Sequence, residues 1–273
     1  MDIRGKVAVV TGAGSGIGQA VALALARRGA KALALVDRTD SVQPLASSIN
    51  NFTENCVQAE AFCGDVTEEA FRKHVFDQST ARWGVPRICV PAAGVVHNML
   101  AAKVDKELGK AALYPVDEFH RVVEVNLVAP TFWALEMVGR IAEDRFAQKL
   151  GRWEPEENIQ GTVIFLGSVS SLGNRGQLAY AATKAGLEGV AATLTIEAMF
   201  HGVRCGVIHP GYTDTPMVRA LGEDFIRQHI LPQTKLRRLI RTEEIADAIC
   251  FMISNSAVSG ELWADAGWTV APA

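Results

Sequence analysis

Residues 6–18 read KVAVVTGAGSGIG, and this stretch decides the fold. Lys6–Thr11 is a short apolar run, which is typical of a buried strand in a parallel sheet. Glycines follow, and then a helical pattern that runs through Arg28 and is closed by Gly29. Glycines let a backbone approach a pyrophosphate, and the helix N-terminus adds N–H donors and a positive dipole. The stretch therefore predicts a dinucleotide site, although a purely structural tight turn would also carry these glycines.

The same alternation of strand and helix continues along the chain. Further strands are predicted at residues 32–36, 57–63, 87–90, 162–166, 203–208 and 262–265. Strands that alternate with helices indicate a parallel, doubly wound sheet. We therefore predict an α/β fold, in which a single Rossmann-type domain of residues 1–273 holds a seven-stranded parallel sheet flanked by helices. One long helix is predicted over Val116–Ala142, with a kink at Pro130.

Composition narrows the class of protein. Of 273 residues, 49% are hydrophobic and 21% charged, which provides a sizeable core and argues against disorder. The formal net charge of −3 argues against a nucleic-acid-binding surface. Five scattered cysteines without a C-x-x-C pair suit reduced thiols. No apolar run approaches the roughly 18 residues of a membrane span. We expect a cytoplasmic protein with neither nucleic acid nor membrane among its partners.

The end of the second strand bears on cofactor choice. Asp37 lies about 20 residues beyond the glycines, where an acidic residue accepts hydrogen bonds from an adenosine ribose. Arg38 follows and is able to attract a 2′-phosphate, so NADP is not closed off by the sequence. Asp37 would repel that phosphate, and we weight it more heavily. The predicted cofactor is NAD.

The chemistry is predicted in residues 161–186, GTVIFLGSVSSLGNRGQLAYAATKAG. Tyr180 and Lys184 are four residues apart on a predicted helix, so their side chains share one face. A free tyrosine has a pKa of about 10 and is a poor base at neutral pH. A nearby ammonium favours the phenolate and is expected to lower that pKa. With a serine hydroxyl at the end of the preceding strand, these residues form an acid/base set for alcohol and carbonyl chemistry.

The assembled motifs resemble the short-chain dehydrogenase/reductase family over essentially the whole chain. By this resemblance Tyr180 is the proton donor and acceptor, and Lys184 lowers its pKa and binds the nicotinamide ribose. Ser168 positions the substrate oxygen, and Asn126 holds a water in a proton relay. Together with Asp37, the resemblance gives these cofactor-binding residues: Gly12, Gly14, Ser15, Gly16, Ile17, Gly18, Asp37, Asp65, Val66, Ala92, Ala93, Gly94, Tyr180, Lys184, Pro210, Gly211, Thr213 and Thr215.

Two departures from the family pattern are visible. The family's Asn-Ala-Gly after the fourth strand is Ala92-Ala93-Gly94 here, so the hydrogen bonds of that asparagine must be met otherwise. Ser168 lies 12 residues before Tyr180, one fewer than the expected spacing. Ser170 and Ser171 are therefore rivals for its role, although the place of Ser168 directly after the strand favours it.

The leading interpretation is an NAD(H)-dependent oxidoreductase that moves a hydride between nicotinamide and a secondary alcohol or ketone. The alternative is a cofactor-sensing or scaffold protein that binds NAD(H) without turnover. An intact set of Asn126, Ser168, Tyr180 and Lys184 argues against that alternative. His97, His120 and His209 lie in three segments without ligand spacing, so no metal is predicted.

Residues 212–240 are predicted to form a lid over the substrate. An apolar wall at roughly helical spacing is formed in it by Met217, Val218, Leu221 and Phe225. Such a wall favours a hydrophobic ketone or a 3-oxoacyl thioester over a sugar. The segment after the fourth strand is longer than usual, and its basic residues would suit a phosphate-bearing thioester. These residues are Lys103, Lys106 and Lys110. Asp105 and Glu107 reduce the net charge of the segment.

A homo-oligomer, tetramer or dimer, is also expected. In the family that the chain resembles, the helix with Asn126 and the helix with Tyr180 commonly pair with their symmetry mates. Small residues on the second helix would permit close approach; they are Ala181, Ala182, Ala185, Gly189 and Ala192.

Overall fold

The computed structural model describes residues 1–53 and 56–268. Its strands are β1 Val7–Thr11, β2 Ala32–Asp37, β3 Gln58–Cys63, β4 Ile88–Pro91, β5 Ala102–Val104, β6 Ala111–Leu113, β7 Gly161–Leu166, β8 Val203–Pro210 and β9 Gly260–Ala264. Seven of them form one parallel sheet in the order β3-β2-β1-β4-β7-β8-β9. The predicted fold is confirmed, and each predicted strand lies within two residues of its observed bounds.

Helices cover both faces of this sheet. They are α1 Gly16–Arg27, α2 Val42–Phe52, α3 Glu69–Trp83, α4 Val116–Val123, α5 Ala129–Ala147, α6 Leu178–Glu197, α7 Pro216–Arg219, α8 Glu223–Phe225 and α9 Thr242–Ser254. Successive side chains of a strand point to opposite faces, and β1 shows the consequence. Ala8 and Val10 pack into the core beneath α1, α2 and α9, whereas Val7 and Val9 pack into the core beneath α3, α5 and α6.

The strand order places a crevice at the carboxyl ends of β1 and β4. These neighbours pair in parallel from Ala8 with Ile88 to Thr11 with Pro91. The chain leaves β1 towards β2 on one side and reaches β4 on the other, so the connections diverge here. In open α/β sheets such a switch point is where ligands bind.

The prediction of one long helix with a kink at Pro130 is wrong about the kink. Instead of a kink at Pro130, a π-helical segment, Glu124–Val128, separates α4 from α5, and Pro130 lies in the first turn of α5. Proline has no N–H to donate to an earlier carbonyl, so regular α-helical bonding is interrupted just before it. The π-helical segment carries Asn126, and such segments occur frequently at functional sites.

The combined helix Val116–Ala147 also qualifies the expectation about membrane spans. It contains an 18-residue window of mean hydropathy 1.3, which is long and apolar enough to cross a membrane. In the fold, however, α5 packs against the sheet through fully buried Trp133, Met137 and Ile141. The helix is thus buried on the face that meets the sheet, and 39% of the window is buried in all.

The segment after β4 contains structure that the sequence did not indicate. β5 and β6 form an antiparallel hairpin, with Ala102 opposite Leu113, and every residue of both strands is exposed. The lysines proposed to meet a thioester phosphate lie on or beside this hairpin. Within the described residues they are not part of the cleft lining.

Candidate active site

The glycine turn after β1 is shaped for close approach. Gly12 has a φ of 63°, and a Cβ there would lie 2.7 Å from the backbone nitrogen of Ala93. A Cβ on Gly18 would collide with the carbonyl oxygen of Gly12. The turn therefore packs tightly against the start of α1, whose first residues line the crevice. Such a helix end is a ready site for a phosphate, and the first turn, Gly16–Gln19, carries no carboxylate.

Asp37 ends β2 beside this turn. Its Oδ2 accepts a hydrogen bond of 2.9 Å from the N–H of Gly14, and its Oδ1 accepts from the N–H and hydroxyl of Thr39, both at 3.0 Å. The carboxylate is thus fixed at the edge of the crevice. Arg38 also lines the crevice.

Asp65 and Val66 form the floor on the other side of β2. The backbone N–H and hydroxyl of Thr67 donate to Asp65 Oδ1, and these bonds lower the pKa of that carboxyl. The indole N–H of fully buried Trp133 donates to the carbonyl of Val66 at 2.9 Å. Trp133 therefore positions a predicted cofactor-contacting residue, a role that no sequence motif indicated.

The loop after β4 is held from two sides. The N–H of Ala93 donates to the Thr11 hydroxyl at 3.1 Å. Asn126 binds the backbone of Val95 twice, accepting from its N–H at 2.8 Å and donating to its carbonyl at 2.7 Å. These bonds hold the loop in place, although Ala92 stands where the family has an asparagine.

Ser168 follows β7 directly and lines the crevice. Its hydroxyl accepts from the N–H of Ser170 at 3.1 Å and lies in hydrogen-bonding reach of the Tyr180 phenol. Ser170 instead donates to Gln177 at 2.8 Å. The Ser171 hydroxyl is buried without a hydrogen-bond partner in the part of the chain that the structure describes. The geometry favours Ser168 over both rivals.

Tyr180 and Lys184 share one face of α6, as predicted. Lys184 Nζ lies 5.5 Å from the Tyr180 ring centroid and donates to the Leu166 carbonyl at 2.6 Å. Burial lowers the pKa of the Lys184 ammonium from 10.5 to about 8. The Tyr180 pKa is raised in this structure and not lowered as expected. Burial raises that pKa and outweighs the Ser168 hydrogen bond, which lowers it.

The loop after β8 closes the crevice. The N–H of Gly211 donates to the carbonyl of Ala264, and the hydroxyl of Thr213 donates to the carbonyl of Gly211. Thr215 caps α7 by accepting from the N–H of Val218. This loop, together with Pro210, forms the wall opposite Ser168.

These elements enclose a single cleft of about 360 Å³. It brings together most of the predicted site residues, which are Gly12, Ser15, Gly16, Ile17, Gly18, Asp37, Asp65, Val66, Ala92, Ala93, Gly94, Ser168, Tyr180, Lys184, Pro210, Gly211, Thr213 and Thr215. Gly14 and Asn126 lie behind this lining. They act on it through Asp37 and Val95. The crevice, the glycine turn and the fixed Asp37 fit a dinucleotide.

Comparison with known proteins agrees with this geometry. Residues 12–269 match the family described as enoyl-(acyl carrier protein) reductase. The chain is 31% identical over 264 residues to the 3-oxoacyl-(acyl-carrier-protein) reductase of Escherichia coli (strain K12), covering 96% of each. It is 30% identical over 264 residues to the (3R)-3-hydroxyacyl-CoA dehydrogenase of Rattus norvegicus, covering 94% of this chain and 92% of that protein.

The chain belongs to the short-chain dehydrogenase/reductase family. A crystal structure of a short-chain type dehydrogenase/reductase from Mycobacterium marinum is similar to it, with a TM-score of 0.82, 26% identity and coverage of 98% and 97% of the two chains. The protein is therefore an oxidoreductase that acts on CH–OH or keto groups with a nicotinamide cofactor, rather than a protein that binds the cofactor without turnover.

The cleft of this dehydrogenase/reductase includes residues that sequence reasoning missed. They are Thr39, Gly64, Val95, Val125, Leu166, Gly167 and Pro216. Most of them directly follow or precede a predicted site residue, so the ends of the parallel strands were the available signal. Of the predicted apolar wall, Met217 and Val218 line the cleft, whereas Leu221 and Phe225 are not among its lining residues in the described part of the chain.

Proposed function

We propose that this oxidoreductase uses NAD(H) and reduces a hydrophobic ketone or a 3-oxoacyl thioester to the corresponding secondary alcohol. The observation that carries the proposal is the meeting of Ser168, Tyr180 and Lys184 in one cleft with the fixed carboxylate of Asp37. When bound, the nicotinamide supplies the hydride in the reducing direction.

The chain's own residues would then handle the oxygen. The Ser168 hydroxyl and the Tyr180 phenol are close enough to share one carbonyl oxygen. Because burial raises the Tyr180 pKa, the phenol carries its proton at neutral pH and is suited to donate it to that oxygen. The Lys184 ammonium would stabilise the phenolate left behind. Asn126 would act through Val95, whose position beside the cleft it fixes.

Asp37 supports NAD(H) over NADP(H). Two hydrogen-bonded oxygens hold its carboxylate at the end of β2, so a 2′-phosphate would meet a negative charge that does not move aside. Arg38 is exposed beside it and is the residue that would favour the phosphate.

Two observations support an apolar or thioester substrate. Met217 and Val218 bring apolar side chains to the cleft from the segment 212–240. Both relatives described above act, by their names, on 3-oxoacyl or 3-hydroxyacyl thioesters. The segment would act as a lid with a fixed base. The N–H of Ile240 donates to the carbonyl of Tyr212, and the N–H of Asp214 donates to the carbonyl of Ile240.

We further propose a cytoplasmic homo-oligomer. All five cysteines are free thiols, which suits a reducing compartment. On α5 the side chains of Phe132 and Leu135 are exposed, and on α6 the small residues Ala182, Gly189 and Ala192 are exposed. Apolar and small side chains on adjacent helices suit close contact with a second copy.

A substrate panel tests the proposal. The purified protein is assayed with NADH and, separately, with NADPH against acetoacetyl-CoA, a cyclic ketone and a keto-sugar. We expect the highest kcat/KM for acetoacetyl-CoA with NADH. Selective reduction of the keto-sugar would contradict the substrate class, and a higher kcat/KM with NADPH would contradict the cofactor assignment.

A further inference from the structure

Behind the catalytic serine lies a second group of chemically active side chains. Glu188 comes from α6, His209 from β8 and Glu261 from β9. None of the three lines the cleft within the described residues. Their ligand atoms, one imidazole nitrogen and two carboxylate oxygens, all lie within 4.8 Å of one another.

His209 is rigidly packed, and only one of its two ring nitrogens has a hydrogen-bond partner among the described residues. It is fully buried, and its ring stacks on Trp263 with centroids 4.1 Å apart and planes 10° from parallel. Its Nδ1 accepts a hydrogen bond of 3.3 Å from the backbone N–H of Ser168 and lies 3.2 Å from the carbonyl oxygen of the same residue. Its Nε2 is buried and has no hydrogen-bond partner among residues 1–53 and 56–268. Buried polar atoms are nearly always paired, so this nitrogen requires an explanation.

The unpaired nitrogen points at the two carboxylates. Nε2 lies 3.3 Å from Glu261 Oε2 and 3.8 Å from Glu188 Oε1. Two acidic oxygens beside one imidazole nitrogen form a ligand set for a divalent cation, because imidazole suits zinc and other transition metals and carboxylates add charge. The glutamate side chains are 30% and 41% exposed, which leaves an entry path and room for water ligands.

We propose that Glu188, His209 and Glu261 form a binding site for a divalent transition-metal cation, for which Zn²⁺ is the probe. Zinc bonds to nitrogen and oxygen are about 2.0–2.2 Å long, so ligand atoms around it are closer together than 4.8 Å. The fixed imidazole would anchor the ion, and the two part-exposed glutamates would move inward to complete the set. This proposal revises the expectation, drawn from spacing along the chain, that no metal binds.

Occupancy would act on the active site through the other edge of the ring. A cation on Nε2 requires the ring proton to lie on Nδ1, which then donates to the Ser168 carbonyl at 3.2 Å and no longer accepts from the Ser168 N–H. The partner of a metal-bound imidazole commonly fixes the ring's tautomer and orientation. Binding of the ion would therefore exchange one His209–Ser168 hydrogen bond for another.

Calorimetry on the full chain tests the site. Protein freed of metal with a chelator and dialysed is titrated with ZnCl₂, beside the variants Glu188→Gln, Glu261→Gln and the double variant. We expect one Zn²⁺ per chain in the wild type and at least about a tenfold loss of affinity in each single variant. Glu197→Gln, an exposed carboxylate on the same helix, is the matched control and should bind as wild type does.

A cobalt(II) spectrum distinguishes the proposed site from metal binding at the exposed thiols Cys56 and Cys63. Nitrogen and oxygen ligation gives weak visible bands, whereas thiolate ligation adds intense near-ultraviolet absorption. Zinc binding that is unchanged in the double variant, or a thiolate spectrum, would overturn the proposal. So would an absence of Zn²⁺ binding by the wild type.

Discussion

Lys184 is a buried ammonium group in the cleft, and burial disfavours its charged form. Lys184 is 6% exposed and has one hydrogen bond from Nζ, to the Leu166 carbonyl, within the described residues. Burial brings its pKa down from 10.5 to about 8. Since one pKa unit corresponds to about 1.4 kcal/mol, the charged form costs the folded state on the order of 3 kcal/mol. The charged Lys184 therefore lowers the free energy of unfolding, and residues of functional sites commonly have this effect.

Lys184→Met should stabilise the fold while removing activity. At pH 7 we expect the free energy of unfolding to rise by about 1–2 kcal/mol, because the cost of burying the charge is offset in part by the lost bond to Leu166. Wild-type stability should gain from a pH rise between about 8 and 10, where the unfolded chain holds the Lys184 proton more tightly than the folded chain does. Urea unfolding across this range measures the difference, and parallel curves for the two proteins would contradict the assignment.

Asp37→Asn should weaken the preference for NADH. The amide keeps the shape of the side chain but removes the charge that would repel a 2′-phosphate. We expect the ratio of kcat/KM for NADH to that for NADPH to fall by about tenfold, an effect of about 1.4 kcal/mol. Arg38→Gln should change the ratio in the opposite direction. Asp40→Asn, at an exposed neighbouring carboxylate, is the control and should leave the ratio unchanged.

At the scale of elements, the π-helical segment is what aims Asn126 at the loop after β4. The same pattern of hydrogen bonds occurs at Asn50, which accepts from the N–H of Ala59 at 2.8 Å and donates to its carbonyl at 3.0 Å. Asn50 joins α2 to β3, whereas Asn126 joins the π-helical segment to Val95 in the cleft. The chain therefore contains its own control for the role of Asn126.

Asn126→Ala and Asn50→Ala should separate stability from catalysis. Each loses two hydrogen bonds to part-buried backbone, so we expect each to lower the free energy of unfolding by about 1–3 kcal/mol. Only Asn126→Ala should also lower kcat, by at least about tenfold, because only Val95 lies beside the reacting groups. Denaturation and steady-state assays are run on both variants. Equal kcat values in the two would show that Asn126 is merely structural.

The strands and most of the cleft could be predicted because each depends on neighbours in sequence. The apolar run Val7–Val10 identifies β1, and a residue that follows such a strand must lie at the carboxyl edge of the sheet. The π-helical segment could not be predicted, because a change of hydrogen-bond partner over five residues leaves the apolar pattern intact. The β5–β6 hairpin is exposed on both strands and so lacks the alternation that reveals a half-buried strand.

Other features depend on burial or on distant parts of the chain. The raised pKa of Tyr180 follows from the desolvation of the phenol by its surroundings in the cleft, which spacing along α6 does not report. Glu188, His209 and Glu261 are brought together by the parallel pairing of β8 with β9 and by the packing of α6 above them. No local motif shows that these residues are neighbours. The spacing argument considered only the three histidines and not the glutamates that lie beside His209.

At the scale of the whole molecule, the exposed faces of α5 and α6 predict self-association. A Cβ at Gly189 would meet no atom within 4 Å in the described part of the chain, so Gly189→Trp should fold normally as a single chain. We expect light scattering to give a tetramer or dimer for the wild type and a smaller species for this variant. Gly151→Trp, at an equally open glycine in the connection before β7, is the control. A monomeric wild type at micromolar concentration would contradict the prediction.

The central claim is that Tyr180 transfers the proton in a reaction whose cofactor is bound by other residues. It is tested most directly by measuring the turnover and NADH affinity of Tyr180→Phe on the best substrate of the panel. We predict a loss of at least about a hundredfold in kcat, the usual scale for a positioned acid, with NADH affinity within about twofold of wild type. Tyr114→Phe, which removes a phenol that donates to the His97 carbonyl, should keep full turnover. Near-normal turnover in Tyr180→Phe would contradict the claim.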